Sequence, residues 1–143
     1  MRYCSLVSPV DLDRLRDALR AGPRLRFAFL FGSTARGTAA PESDVDVGIV
    51  PFDPAMSLAD ELAIAERLER VAGRPVDLVR LDTASHALQW RVARDGVILV
   101  SDPPYEAIRF RARVAIAHDL DRELEEDAQR RYRAALARGV PAR

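Results

Sequence analysis

The chain contains no lysine: all 22 of its basic residues are arginine, and 22 acids balance them to a net charge of zero. Neutrality gives no case for a nucleic-acid or membrane surface. The arginine-only usage is what a GC-rich coding sequence produces, and it also leaves every phosphate contact to Arg. Cys4 is the single cysteine, which excludes an internal disulfide and a Cys-rich metal site. No apolar run approaches the length of a membrane span, and the N-terminus "MRYCSLVSPVDLDRLR" lacks the unbroken apolar stretch of a secretory signal, so a cytoplasmic location is expected. Repeats, low-complexity tracts and linkers are also missing. What is present is 143 residues, 48% hydrophobic and 31% charged, the profile of one globular domain over 1–143 with a core at about 8–100 and a C-terminal helical segment at about 104–138.

Hydrophobic spacing divides the chain into alternating helices and strands. Ser8-Pro9 reads as a helix start, with Val10, Leu12, Leu15 and Leu19 following at helical spacing until Gly22-Pro23. "LRFAFLF" (25–31) reads as a buried strand and "VDVGIV" (45–50) as an alternating one, with a loop at 37–43 between them. Ser57 caps a helix carrying Leu58, Leu62, Ala65, Leu68 and Val71 to a stop at Gly73. "PVDLVRL" (75–81) is a third strand. Asp82 or Thr83 is expected to cap a helix through Leu88, Trp90 and Val92, and "VILV" (97–100) forms a fourth strand or short extension. From Tyr105 to Arg138 one long helix is expected, with Ile108, Ala112, Ile116, Leu120, Leu124, Ala128, Tyr132 and Leu136 spaced by four. The fold class is α/β (α+β): a small mixed sheet flanked by helices.

The chemistry concentrates in "LFGSTARGTAAPESDVDVGIV" (30–50). Asp44 and Asp46, two apart at the head of a strand, project from one face and repel each other unless a divalent cation lies between them. Magnesium takes oxygen ligands and is commonly held by one or two carboxylates plus substrate phosphates. Asp77 sits among Val76, Leu78 and Val79 in a predicted strand, where an unpaired buried carboxylate is costly, so a neighbouring placement would bring three carboxylates together as a two-metal clamp. Gly32 and Ser33, where a strand turns into a short helix, offer backbone N–H groups and a hydroxyl to phosphate, and Arg36 follows one turn on.

Gly32-Ser33, ten residues, then Asp44-x-Asp46 resembles the signature of the nucleotidyltransferase superfamily related to DNA polymerase beta. "FGSTARGTAAPESDVDVGIV" is similar in particular to its minimal nucleotidyltransferase (MNT) branch. The resemblance covers about Leu25 to at least Val100. It implies a polymerase beta palm-like fold, with Asp44, Asp46 and Asp77 as catalytic magnesium ligands for two ions and Gly32, Ser33 and Arg36 holding the triphosphate. The implied reaction is transfer of a nucleoside monophosphate, AMP from ATP, to a hydroxyl with release of pyrophosphate. The MNT branch resembles antitoxins that adenylylate a tyrosine of a HEPN ribonuclease toxin, which makes that toxin the expected protein partner in a hetero-oligomer, with no direct nucleic-acid or membrane partner. Two other readings remain open: a small-molecule adenylyltransferase of the aminoglycoside-modifying kind, and a non-catalytic antitoxin that neutralises its partner by binding.

Competing local readings accompany each residue. Asp82 is a rival third acid that fits better as a helix cap, and Arg36 has an alternative partner in Glu42. Trp90 is expected to pack in the core and not to stack on adenine; His86 and His118 are expected at the surface or at helix ends. "RVAIAH" (113–118) echoes the Arg-x4-His pattern of HEPN ribonucleases, yet five residues turn the two side chains about 140° apart. The last helix, with Arg109, Arg111, Arg130, Arg131 and Arg133 beside Glu123, Glu125, Glu126 and Asp127, is expected to be solvated or to dock a partner protein.

Overall fold

The computed structural model describes residues 10–38 and 43–139. Cys4, Ser8, Pro9, Pro41 and Glu42 lie outside the described residues, and with them the Ser8-Pro9 helix start and the Arg36–Glu42 pairing. The elements run α1 (Leu12–Arg20), β1 (Leu25–Phe31), α2 (Gly32–Arg36), β2 (Val45–Pro51), α3 (Leu58–Ala72), β3 (Val76–Arg80), α4 (His86–Asp95), β4 (Val97–Ser101) and α5 (Glu106–Ala137). The strands form one sheet in the order β3-β2-β1-β4. β1 is antiparallel to both β2 and β4, and β2 is parallel to β3.

Side-chain alternation divides the core into two clusters, one on each face of the sheet. On one face Ala28, Leu30, Val45, Val47 and Ile49 meet Leu15 and Leu19 of α1 and Ile64 and Leu68 of α3. On the other, Phe27, Phe29 and Phe31 meet Val92 of α4 and Phe110 and Val114 of α5. Phe110 closes an aromatic triad, its ring centre 5.0 Å from Phe27 and 5.7 Å from Phe29. β1 is therefore covered on both sides, which is why it reads as an almost unbroken apolar run with only Arg26 exposed.

Several expectations shift. Asp11 caps α1, accepting from the N–H groups of Asp13 and Arg14. Ser85 caps α4 through the Leu88 N–H, and neither Asp82 nor Thr83 does. In α3 the buried positions are Ile64 and Leu68, while Leu58 and Leu62 face solvent. Asp77 is exposed on the edge strand β3, so the desolvation argument for it does not hold. α5 differs most: it packs through Ala107, Phe110 and Val114, whereas Ile108, Ile116, Leu120, Leu124, Tyr132 and Leu136 are exposed. Each step of four residues turns a helix about 400°, 40° beyond a full turn, so a row of that spacing winds round the helix and cannot face one sheet.

Candidate active site

The site lies at the end of the sheet where β1 stops and β2 and β3 begin. Phe31, the last residue of β1, pairs with Asp46, and on the other side Asp46 is in register with Asp77. Asp46 shares its strand face with Gly48 and Val50, the face covered by α4. Gly48 lies so close beneath Leu81 that an added Cβ would meet its side chain at 2.8 Å. One pair of residues earlier, a half-buried carboxylate takes the corresponding position.

Asp77 and Asp44 both act on Asp46. The Asp46 carboxyl is held above its usual range first by partial burial, then by the negative charges of Asp77 and Asp44; Arg91 and Arg36 offset this only in part. Asp82 is differently occupied. It forms a two-point ion pair with Arg80, at 2.6 and 2.9 Å, which pulls its carboxyl below the usual range. Arg80 also bonds Glu61 of α3 at 3.1 Å, so this group braces β3 against α3 and removes Asp82 from the competition for third acid.

Gly32 opens α2 at φ +75°, directly after Phe31, whose side chain is too apolar to cap the turn. The first N–H groups of α2 therefore have no side-chain cap. The half-buried Ser33 stands beside them, and its carbonyl closes the turn by accepting from the Thr38 N–H at 2.9 Å. Arg36, in the last turn of α2, is exposed.

Arg91 of α4 is the residue that sequence reasoning missed. Nothing in the spacing of "HALQWRVARD" (86–95) distinguishes it from a surface arginine. Its charge nevertheless acts on Asp46 from α4, as does that of Arg36 from the last turn of α2. Both arginines also act on Asp95, which Arg94 holds at 2.7 Å. Neither Arg36 nor Arg91 forms an ion pair with a described residue. Trp90 stacks on His118 with ring centres 3.9 Å apart and planes within 5°, so its face is already covered.

This geometry suits a metal bound between carboxylates and phosphates. Among the described residues no three Asp, Glu, His or Cys side chains form a group that could hold a metal ion by themselves. Magnesium does not require one, since it takes one or two carboxylates and completes its shell with water and substrate oxygens. The raised Asp46 carboxyl reflects partial burial first and then the negative charges of Asp77 and Asp44, beyond what Arg91 and Arg36 offset.

The model of the family described as "Polymerase beta, Nucleotidyltransferase" matches residues 13–104, from α1 through β4. The chain belongs to this nucleotidyltransferase family. Protein adenylyltransferase MntA of Shewanella oneidensis is 34% identical over 82 residues, covering 57% of this chain and 56% of the relative. The chain thus matches just over half of that relative's length. Among solved structures, a toxin–antitoxin crystal structure with AMP-PNP superposes with a TM-score of 0.62 at 24% identity, covering 83% of this chain and 98% of the other. A complex of tri-AMPylated Shewanella oneidensis HEPN toxin with MNT antitoxin gives a TM-score of 0.55 at 22% identity, over 82% and 95%. These structural likenesses establish the fold. No helix among the described residues is long and apolar enough to cross a membrane.

Proposed function

We propose that this nucleotidyltransferase is a magnesium-dependent protein adenylyltransferase, an antitoxin that transfers AMP from ATP to a tyrosine hydroxyl of a HEPN ribonuclease toxin. One observation carries the reading: Asp44 and Asp46 head β2, with Asp77 in register on one side and the uncapped Gly32-Ser33 turn following the paired strand on the other. The MntA relative's activity and the AMPylated toxin in a neighbouring complex point the same way.

In this reading Asp44 and Asp46 bind both metal ions, and Asp77 completes the first site. Bound magnesium would polarise the α-phosphate and stabilise the leaving pyrophosphate. The N–H groups at Gly32 and Ser33, the Ser33 hydroxyl and the Arg36 guanidinium hold the β- and γ-phosphates. The tyrosine oxygen forms the new bond to the α-phosphorus as the bond to the bridging oxygen breaks. Asp77, exposed and free to turn, accepts the hydroxyl proton or passes it to solvent. Asp82, fixed by Arg80, takes no part.

Arg91 supplies the second cation over the triphosphate. Arg91→Ala is expected to raise KM for ATP about tenfold with kcat changed less than threefold, the loss of one charge-assisted contact made equally in ground and transition states. An unchanged KM in steady-state kinetics would assign Arg91 to the surface.

The reading is tested with ATP labelled at the α-phosphate and magnesium, added with the protein to a lysate of the native host. Label on one small protein, lost with Asp46→Asn and with chelator, is the expected result. Label on a small molecule would support the resistance-type enzyme, and protection without label would support neutralisation by binding alone.

A further inference from the structure

α5 is one continuous helix with two different surroundings along its length. Its first half is docked: Phe110 and Val114 are in the core, His118 lies against Trp90, and Asp121 reaches His86 at 3.7 Å. Beyond Asp121 the helix leaves the body. From 122 to 138 every residue except Asp127 and Ala135 is exposed, a length of about 25 Å. A free helix of this size is marginal in water, more so with Leu124, Tyr132 and Leu136 each at least half exposed.

Two patterns on this segment are complementary to themselves. The first is charge. Residues 119–127 hold six acids and one arginine, and residues 130–138 hold four arginines and no acid. Only Asp127 joins the two blocks within the chain, bonding Arg130 at 3.3 Å and Arg131 at 2.9 Å. Glu123, Glu125, Glu126 and Arg133 have no ion-pair partner among the described residues. The second is shape. Leu120, Leu124, Ala128, Tyr132 and Leu136 form a ridge of step four, large side chains on both sides of the small Ala128. Such ridges interdigitate between helices crossing at about −50°, unlike the 3.5-residue repeat of a parallel coiled coil.

We propose that the free half of α5 docks antiparallel against the same segment of a second copy of this chain, about a twofold axis near Ala128. A parallel arrangement would set acid block against acid block. The antiparallel one lays the acidic block of each copy along the basic block of the other. It also places Leu124 opposite Tyr132 on either side of the crossing, where Ala128 lets the two helices approach. The pairing does not depend on the catalytic reading.

Sedimentation equilibrium of the full chain tests this. The expected mass is twice 15.9 kDa at micromolar concentration. Ala128→Arg, on an exposed helix position and checked for helicity by circular dichroism, is expected to give a monomer. So are the block reversals E123R/E125R/E126R and R130E/R131E/R133E, each alone, whereas their equimolar mixture re-forms a dimer. A wild-type monomer at about 100 μM, a dimer indifferent to Ala128→Arg, or reversed blocks that fail to pair on mixing would each overturn the proposal. A monomeric wild type that loses a toxin partner on Ala128→Arg would overturn it in favour of a heterologous interface.

Discussion

Asp46→Asn is expected to lower nucleotide transfer by at least about three orders of magnitude while making the metal-free protein slightly more stable. The two effects have one cause. In the unfolded chain Asp46 is in water at its ordinary value; in the fold, burial and the charges of Asp77 and Asp44 raise it. The folded state therefore binds the proton more tightly than the unfolded state does. Above the raised value the ionised carboxylate works against folding, and that penalty fades as pH falls through it. The amide introduced by Asp46→Asn carries no charge at any pH. The gain at neutral pH is expected to be within about 1 kcal/mol, because the carboxylate is partly solvated, and it should shrink between pH 7 and the carboxylate range. Magnesium is expected to raise the Tm of the wild type and not of the variant, since a ligand stabilises only the fold that binds it. Retained transfer would remove Asp46 from catalysis. A variant less stable than the wild type would show that burying and crowding the charge is not what its position costs. Loss of protection in Asp44→Asn with binding of the proposed toxin partner preserved would separate enzymatic action from occlusion.

How much of this was legible in the sequence follows from the range of the interactions involved. β1 is buried on both faces and β2 fully on one and partly on the other, so their apolar run and alternation are local records of burial, and both strands fall where the pattern places them. The Gly32-Ser33 and Asp44-x-Asp46 spacing is equally local, because the turn and the strand head are joined by one short loop. Arg91 and the edge position of Asp77 depend instead on how α4 and β3 are brought to the sheet, which no window of residues encodes. Asp82 and Thr83 have good capping chemistry, but the Arg80 ion pair holds Asp82 in the preceding turn and the helix begins after Ser85. In α5 the spacing-of-four row was misleading for a geometric reason: it winds round the helix, and the true packing face, Ala107-Phe110-Val114, is short and ends where the body ends.

Gly32→Ala is expected to lower transfer by about two orders of magnitude or more, through Asp46 and not through a lost ligand. Gly32 has φ +75°, a conformation in which a Cβ is strained by about 1–2 kcal/mol. The added Cβ would also fall on Oδ2 of Asp46 and 3.1 Å from its Cγ. The strand pairing of Phe31 with Asp46 fixes the glycine against that carboxylate, so the carboxylate must swing away. Gly37→Ala separates the two costs. Gly37 has nearly the same backbone, φ +72°, but no described residue within 4 Å of where its Cβ would stand. It is expected to lose similar stability in thermal melts and to keep transfer within a few-fold of wild type. Combining Gly32→Ala with Asp46→Asn should cost no further activity, because the residue displaced has already lost its function. If Gly37→Ala is as inactive as Gly32→Ala, the requirement at both positions is the turn's backbone alone. If only Gly32→Ala is inactive, Gly32 is held open by the carboxylate it adjoins.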